Sequence, residues 1–182
     1  MKKALLVEGK PGLFEDPEKF YEDNRRNMSI MEQVLSDQNY EAIKEVPLER
    51  MIPELKKSKD YEELFFYYTG HSNSTNLGDI KYEKKDIFRC LEGQNRKYVV
   101  FDSCSNPGSY HENSLNTDQI PNNSSVFWAN EVFPNKSIAK SFYDAIIARK
   151  YNFKDLSEKV FEEMNHGWIN LTRRPLNDQK LY

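Results

Sequence analysis

Cysteine is scarce in this chain: Cys90 and Cys104 are the only two, and the three histidines, His71, His111 and His166, are scattered. That excludes a disulfide framework and leaves no paired spacing for a zinc site. The acidic residues do not fall into a calcium loop either, so neither a metal nor a cofactor is expected. Long apolar runs are also missing. No stretch approaches the roughly 20 residues that span a bilayer, and Met1-Lys2-Lys3 is followed only by Ala4-Leu5-Leu6-Val7 before Glu8, too short a block for a secretory signal. The expectation is a cytoplasmic chain in which the two cysteines stay reduced. Neither sign of charge dominates: Lys+Arg 26 and Asp+Glu 29 are interspersed, which removes the basic footprint of a nucleic-acid or membrane-surface partner. A Gly-rich phosphate loop is absent as well. Glu8-Gly9-Lys10-Pro11-Gly12 carries proline where backbone amides would be needed, and no Lys-Ser/Thr follows, which counts against a flavodoxin-like nucleotide or signalling domain.

What the sequence does have is a series of short apolar blocks. Lys3–Val7, Glu41–Val46, Glu63–Tyr68, Tyr98–Phe101 and Ser125–Ala129 are β-branched or aromatic and end in Gly, Asn, Asp or Pro signals. They read as strands covered on both faces. Between them lie helical patterns, with Met28, Met31, Val34 and Leu35 on one stripe and Leu48, Met51, Ile52 and Leu55 on another. Pro53 shortens the second unless it falls in the first turn. Ile87, Cys90 and Leu91 mark a short helix stopped by Gly93, and helices are expected over Ser137–Lys150 and Leu156–Met164. Steady alternation of strand and helix predicts an α/β, three-layer α/β/α domain over residues 1–182, with a mostly parallel sheet of about six strands. The polar stretch 105–123 reads as a mobile loop, and there is no internal repeat.

In an open parallel sheet, ligands collect beyond the carboxyl ends of the strands. The third block ends in Tyr68-Thr69-Gly70-His71 and the fourth in Asp102-Ser103-Cys104. Neighbouring strands lie about 5 Å apart, so adjacency would deliver His71 and Cys104 to one edge. A thiolate is the reactive form of cysteine, and a nearby imidazole generates it. A lone cysteine is more often a small buried hydrophobe, and Cys90, on the apolar face of its helix, illustrates that case. His111 and His166 default to solvated surface.

These paired motifs resemble the histidine and cysteine motifs of the caspase, metacaspase and CHAT-domain peptidases. The order of elements is similar across nearly the whole chain, and so are Ser125–Phe142 and the tail Thr172-Arg173-Arg174-Pro175. The resemblance implies a caspase-like cysteine endopeptidase with Cys104 as nucleophile and His71 beside it, acting on a protein or peptide substrate. It implies an oxyanion donor in the residue after the histidine, which is Ser72 here where most relatives have glycine. It also implies that Asp102 lines the pocket for a substrate Arg or Lys, since a carboxylate there suits a cation. Glu8, Asp23 and Glu131 are further acidic candidates on that edge. The residues alone leave open that Asp102 instead binds backbone amides, and that Arg25 and Arg26 select an acidic substrate. A catalytically inactive caspase-like protein-interaction module is the alternative function, and a regulatory partner protein stays open.

Overall fold

The computed structural model describes residues 1–12, 16–72, 76–78, 82–93, 95–103, 121, 124–128 and 137–153. The expected loop, the helix over Leu156–Met164 and the tail motif lie outside these residues or almost wholly so.

Five strands build the main sheet: β1 (Lys2–Glu8), β2 (Glu41–Pro47), β3 (Glu63–Thr69), β6 (Arg96–Asp102) and β7 (Ser124–Trp128). β4 (Asn76–Leu77) and β5 (Tyr82–Glu83) form a small antiparallel pair apart from it. The sheet order is β2-β1-β3-β6-β7 and every pairing is parallel, so the α/β class and the parallel sheet hold, with five strands among the described residues where about six were expected. Continuous burial explains why these blocks are strands: β3 is buried at all its positions, as a strand covered on both faces must be.

Alternation divides the core into two layers. Ala4, Leu6, Phe65, Tyr67, Tyr98 and Val100 pack on one face with helix α1 (Pro17–Asp37) and helix α4 (Ile138–Tyr143). Leu5, Val7, Leu64, Phe66, Tyr68, Val99 and Phe101 pack on the other with α2 (Met51–Lys57) and α3 (Lys84–Leu91). Burying each of these large side chains stabilises the fold by about 1.5–3 kcal/mol relative to leaving it in water. Asp16 caps α1 by accepting from the Glu18 and Lys19 amides, and Pro17 fixes its first turn. Pro53 falls in the first turn of α2, where its missing N–H costs nothing. Ser137 caps α4, which runs on as a π-helical turn over Asp144–Ala148.

Two local departures stand out. β2 shifts register against β1 between Leu5 and Val7, so Lys44 and Glu45 together face Leu6, and Glu45 takes a left-handed φ of 52°. This is a β-bulge on a strand that forms the sheet edge among the described residues. Lys84, the first residue of α3, is only 5% exposed, and its ammonium lies 5.2 Å from the centre of the Phe101 ring. Burial pulls its pKa down to about 8.

The chain leaves β1 for the β2 edge, then crosses back past β1 to β3 and continues outward. The switch point therefore lies between β1 and β3, at the carboxyl-end rim where open α/β sheets collect their ligands.

Candidate active site

Three carboxyl-end residues stand in register across that rim: Glu8 on β1 faces Thr69 on β3, and Thr69 faces Asp102 on β6. They share the α1/α4 face by alternation with the core residues below them. β3 and β6 are adjacent and parallel, so the chain leaves the sheet after Thr69 and after Asp102 on the same rim. The two exits touch: the buried hydroxyl of Ser72, one residue past His71, donates at 2.7 Å to Oγ of Ser103, one residue short of Cys104. Cys104 lies just beyond Ser103, outside the described residues, as do Glu131, His111 and His166.

His71 is held by its backbone. Its carbonyl accepts the Tyr68 hydroxyl at 2.6 Å and the Gly78 amide at 2.9 Å. Ser72 pairs with Leu77 in an antiparallel bridge. With Gly78 bonded to His71, that pair is of the kind flanked by hydrogen bonds.

Asp102 is held by three donors of the protein itself. It accepts the Tyr67 hydroxyl at 2.7 Å, the Ile138 amide at 2.9 Å and the Ala139 amide at 3.0 Å. Burial drives its carboxyl pKa upward against these three donors, and burial with the adjacent carboxylate drives the Tyr67 hydroxyl well above its ordinary value. The backbone-amide alternative noted from the sequence describes this geometry, with the amides supplied by the first turn of α4. A carboxylate at a helix N-terminus also meets the positive end of its dipole.

Glu8 is different. Its Oε1 is buried and has no hydrogen-bond partner. Desolvation raises its pKa, opposed by the positive charge of Arg25 and reinforced by Glu45. A cleft of about 570 Å³ adjoins it, lined by Glu8, Arg25, Met28, Ser29, Glu32 and Glu45. Asn24 on α1 bonds Thr69 at 3.1 Å through Oδ1 and leaves a second buried atom, Nδ2, without a partner. Asp23, next to it, is exposed on the outer side of α1 and is not drawn into the rim row. Sequence reasoning passed over Asn24, Thr69, Tyr68 and Ser103. Only Asn24 carried a signal, as a polar residue in line with the stripe Met28, Met31, Val34 and Leu35.

Among the described residues no cluster of His, Cys, Asp and Glu is placed to hold a metal ion, and no helix is long and apolar enough to cross a membrane. No protein-family model matches the sequence, and no curated protein matches it. Among solved structures the chain is similar to the crystal structure of caspase-1 from Spodoptera frugiperda, with a TM-score of 0.52 and 9% identity over 96% of this chain and 86% of that one. The fold is caspase-like. Flavodoxin-like domains share its strand order, so the order by itself does not select between them.

Proposed function

We propose that this caspase-like fold carries a cysteine endopeptidase centred on Cys104 and His71. The observation that carries the reading is the parallel β3–β6 register, extended past the sheet by the Ser72–Ser103 hydrogen bond. It ties together the residue after the histidine and the residue before the cysteine. The solved caspase-1 neighbour supports proteolysis as the reaction class and a protein or peptide as the substrate.

In the proposed reaction His71 takes the Cys104 proton and the thiolate attacks the scissile carbonyl carbon. The carbonyl electrons move onto oxygen, which the Ser72 and Cys104 amides stabilise. Collapse expels the amine, which receives the proton from His71, and leaves a thioester that water hydrolyses, returning the proton to the thiolate by way of His71. One missing oxyanion donor would cost about 2.7–4 kcal/mol of transition-state stabilisation. Ser72 can still supply an N–H because an amide donor does not depend on the side chain.

For specificity we favour Arg or Lys before the cut bond, with Glu8 as the selecting carboxylate. Asp102 already has three internal donors, whereas Glu8 has a buried oxygen that a substrate cation would satisfy. Glu131 remains a second candidate from the sequence. The test is labelling with acyloxymethyl-ketone probes bearing Arg, Lys or Asp, comparing the native chain with Cys104→Ala. Labelling of Cys104 by the basic probes supports the whole reading, and labelling by the Asp probe alone removes the basic pocket. Absence of labelling by all three transfers the function to the inactive interaction module.

A further inference from the structure

Tyr68 belongs to the α2/α3 layer, where its side chain is fully buried among Leu5, Val7, Phe66 and Phe101. A phenol in such surroundings needs a hydrogen-bond partner. It finds one in the His71 carbonyl, the backbone group of the residue whose imidazole the reaction would use. With the Gly78 amide on the same oxygen, both lone pairs of that carbonyl are occupied.

The route of the hydroxyl is cut through a glycine seam. Gly9 follows β1 and donates to the Thr69 carbonyl at 2.8 Å, stapling the exits of β1 and β3 together. A Cβ on Gly9 would overlap Tyr68 Oη and come within 2.9 Å of Tyr68 Cζ. Gly70 has a φ of +150°, and a Cβ there would lie 2.7 Å from Gly9 Cα and 3.0 Å from Tyr68 Oη. Two glycines at one crossing leave room for this one oxygen atom and nothing larger.

We infer that Tyr68 is a positioning residue for His71, its hydroxyl fixing the backbone from which the imidazole projects, and that Gly9 and Gly70 are required to admit that hydroxyl. The kinetic consequence rests on the peptidase reading; the positioning does not.

The experiment uses the full chain and the variants Tyr68→Phe, Gly9→Ala and the double variant, each checked for folding by circular dichroism. The His71 imidazole is followed by NMR through a pH titration, assigned with His71→Gln, together with exchange of the Gly78 amide. In parallel, inactivation by the Arg probe is separated into probe affinity and maximal rate constant. Tyr68→Phe should shift the His71 ring signals and speed Gly78 exchange, with the maximal rate constant falling about 10- to 100-fold, as small misplacements of reacting groups do, and affinity nearly unchanged. Gly9→Ala should reproduce these changes, and the double variant should be little worse than either single one. Tyr68→Phe that lowers the melting temperature yet leaves the His71 signals where they were overturns the inference, as does full additivity of the two substitutions. If Gly9→Ala does not fold, Tyr68→Phe alone decides. Should the native chain resist the probe while Tyr68→Phe still moves the His71 signals, the positioning stands and the peptidase reading falls.

Discussion

Raising the pH from 7 to 10.5 should stabilise the native protein relative to Lys84→Met. Lys84 is 5% exposed, and desolvation lowers its pKa from the usual 10.5 to about 8. A displacement of roughly 2.5 units corresponds to about 3 kcal/mol lost by keeping the ammonium charged inside the fold. Its contact with the Phe101 ring returns about 1 kcal/mol. Its place in the first turn of α3, at the positive end of the helix dipole, works against it. Methionine fills a similar volume and does not titrate, so the native chain should gain about 2 kcal/mol on the variant between pH 7 and 10.5, or roughly 4–8 °C in Tm for a chain of this size.

The pH dependence fixes the cause. Below pH 8 the amine is charged in both the folded and the unfolded chain, and the full cost is present. Between pH 8 and 10.5 the folded chain sheds the proton while the unfolded chain keeps it. Native stability therefore rises with pH over that window relative to the variant, and the change levels off above pH 10.5. Urea denaturation of both proteins at pH 7, 9 and 10.5 measures this, and Lys97, also drawn down to about 8 by burial, is common to both and cancels. A difference between the two proteins that stays constant from pH 7 to 10.5 would refute the claim that the ammonium is held desolvated.

Asp102→Asn keeps the shape but offers one acceptor oxygen to three donors, so a loss of about 1–3 kcal/mol by thermal denaturation is expected, with amide exchange at Ile138 and Ala139 accelerated. Gly70→Ala meets both a left-handed backbone and the Gly9 backbone, and should cost at least 2 kcal/mol or abolish folding, as read by circular dichroism. Glu8→Gln should raise stability slightly at pH 7: the native carboxyl is pushed up by burial, so its contribution is greatest in acid and is lost as pH rises through the folded pKa. In the proposed enzyme the same change should lower kcat/KM for Arg and Lys substrates while leaving maximal thiol alkylation intact. No Lys or Arg occurs between Lys97 and Lys136, so an enzyme specific for basic residues should leave 105–123 uncut on prolonged incubation; mass spectrometry showing self-cleavage there, as after Asp118, would count against that specificity.

Particular residues show where sequence was informative and where it was not. The apolar blocks located the strands to within a residue or two because burial on both faces demands unbroken hydrocarbon. β6 was the widest miss, expected from Tyr98 but starting at Arg96. The reason is Lys97, a charged residue buried to 1% exposure inside a strand, which breaks the apolar signal without breaking the strand. β4 and β5 are too short to show any period. At the site, the sequence reading took the adjacency of the third and fourth blocks as a condition, and the β3–β6 pairing meets it. The partners of Asp102 were not legible, because its amide donors come from α4, on the far side of the long polar stretch, and no local pattern in Asp102-Ser103-Cys104 reports them.

The bulge in β2 bears on how the molecule behaves in a crowded solution. A border strand with regular backbone groups is a template on which a foreign chain can grow a further ribbon and begin an aggregate. Here regular pairing with β1 runs through Ile43, breaks at Lys44 and Glu45, and resumes only for Val46 and Pro47, the last of which has no N–H to offer. An intruding segment would find its bonds in step for about one turn of the pleat and then lose them, so the irregularity serves as a guard against unwanted growth from that side.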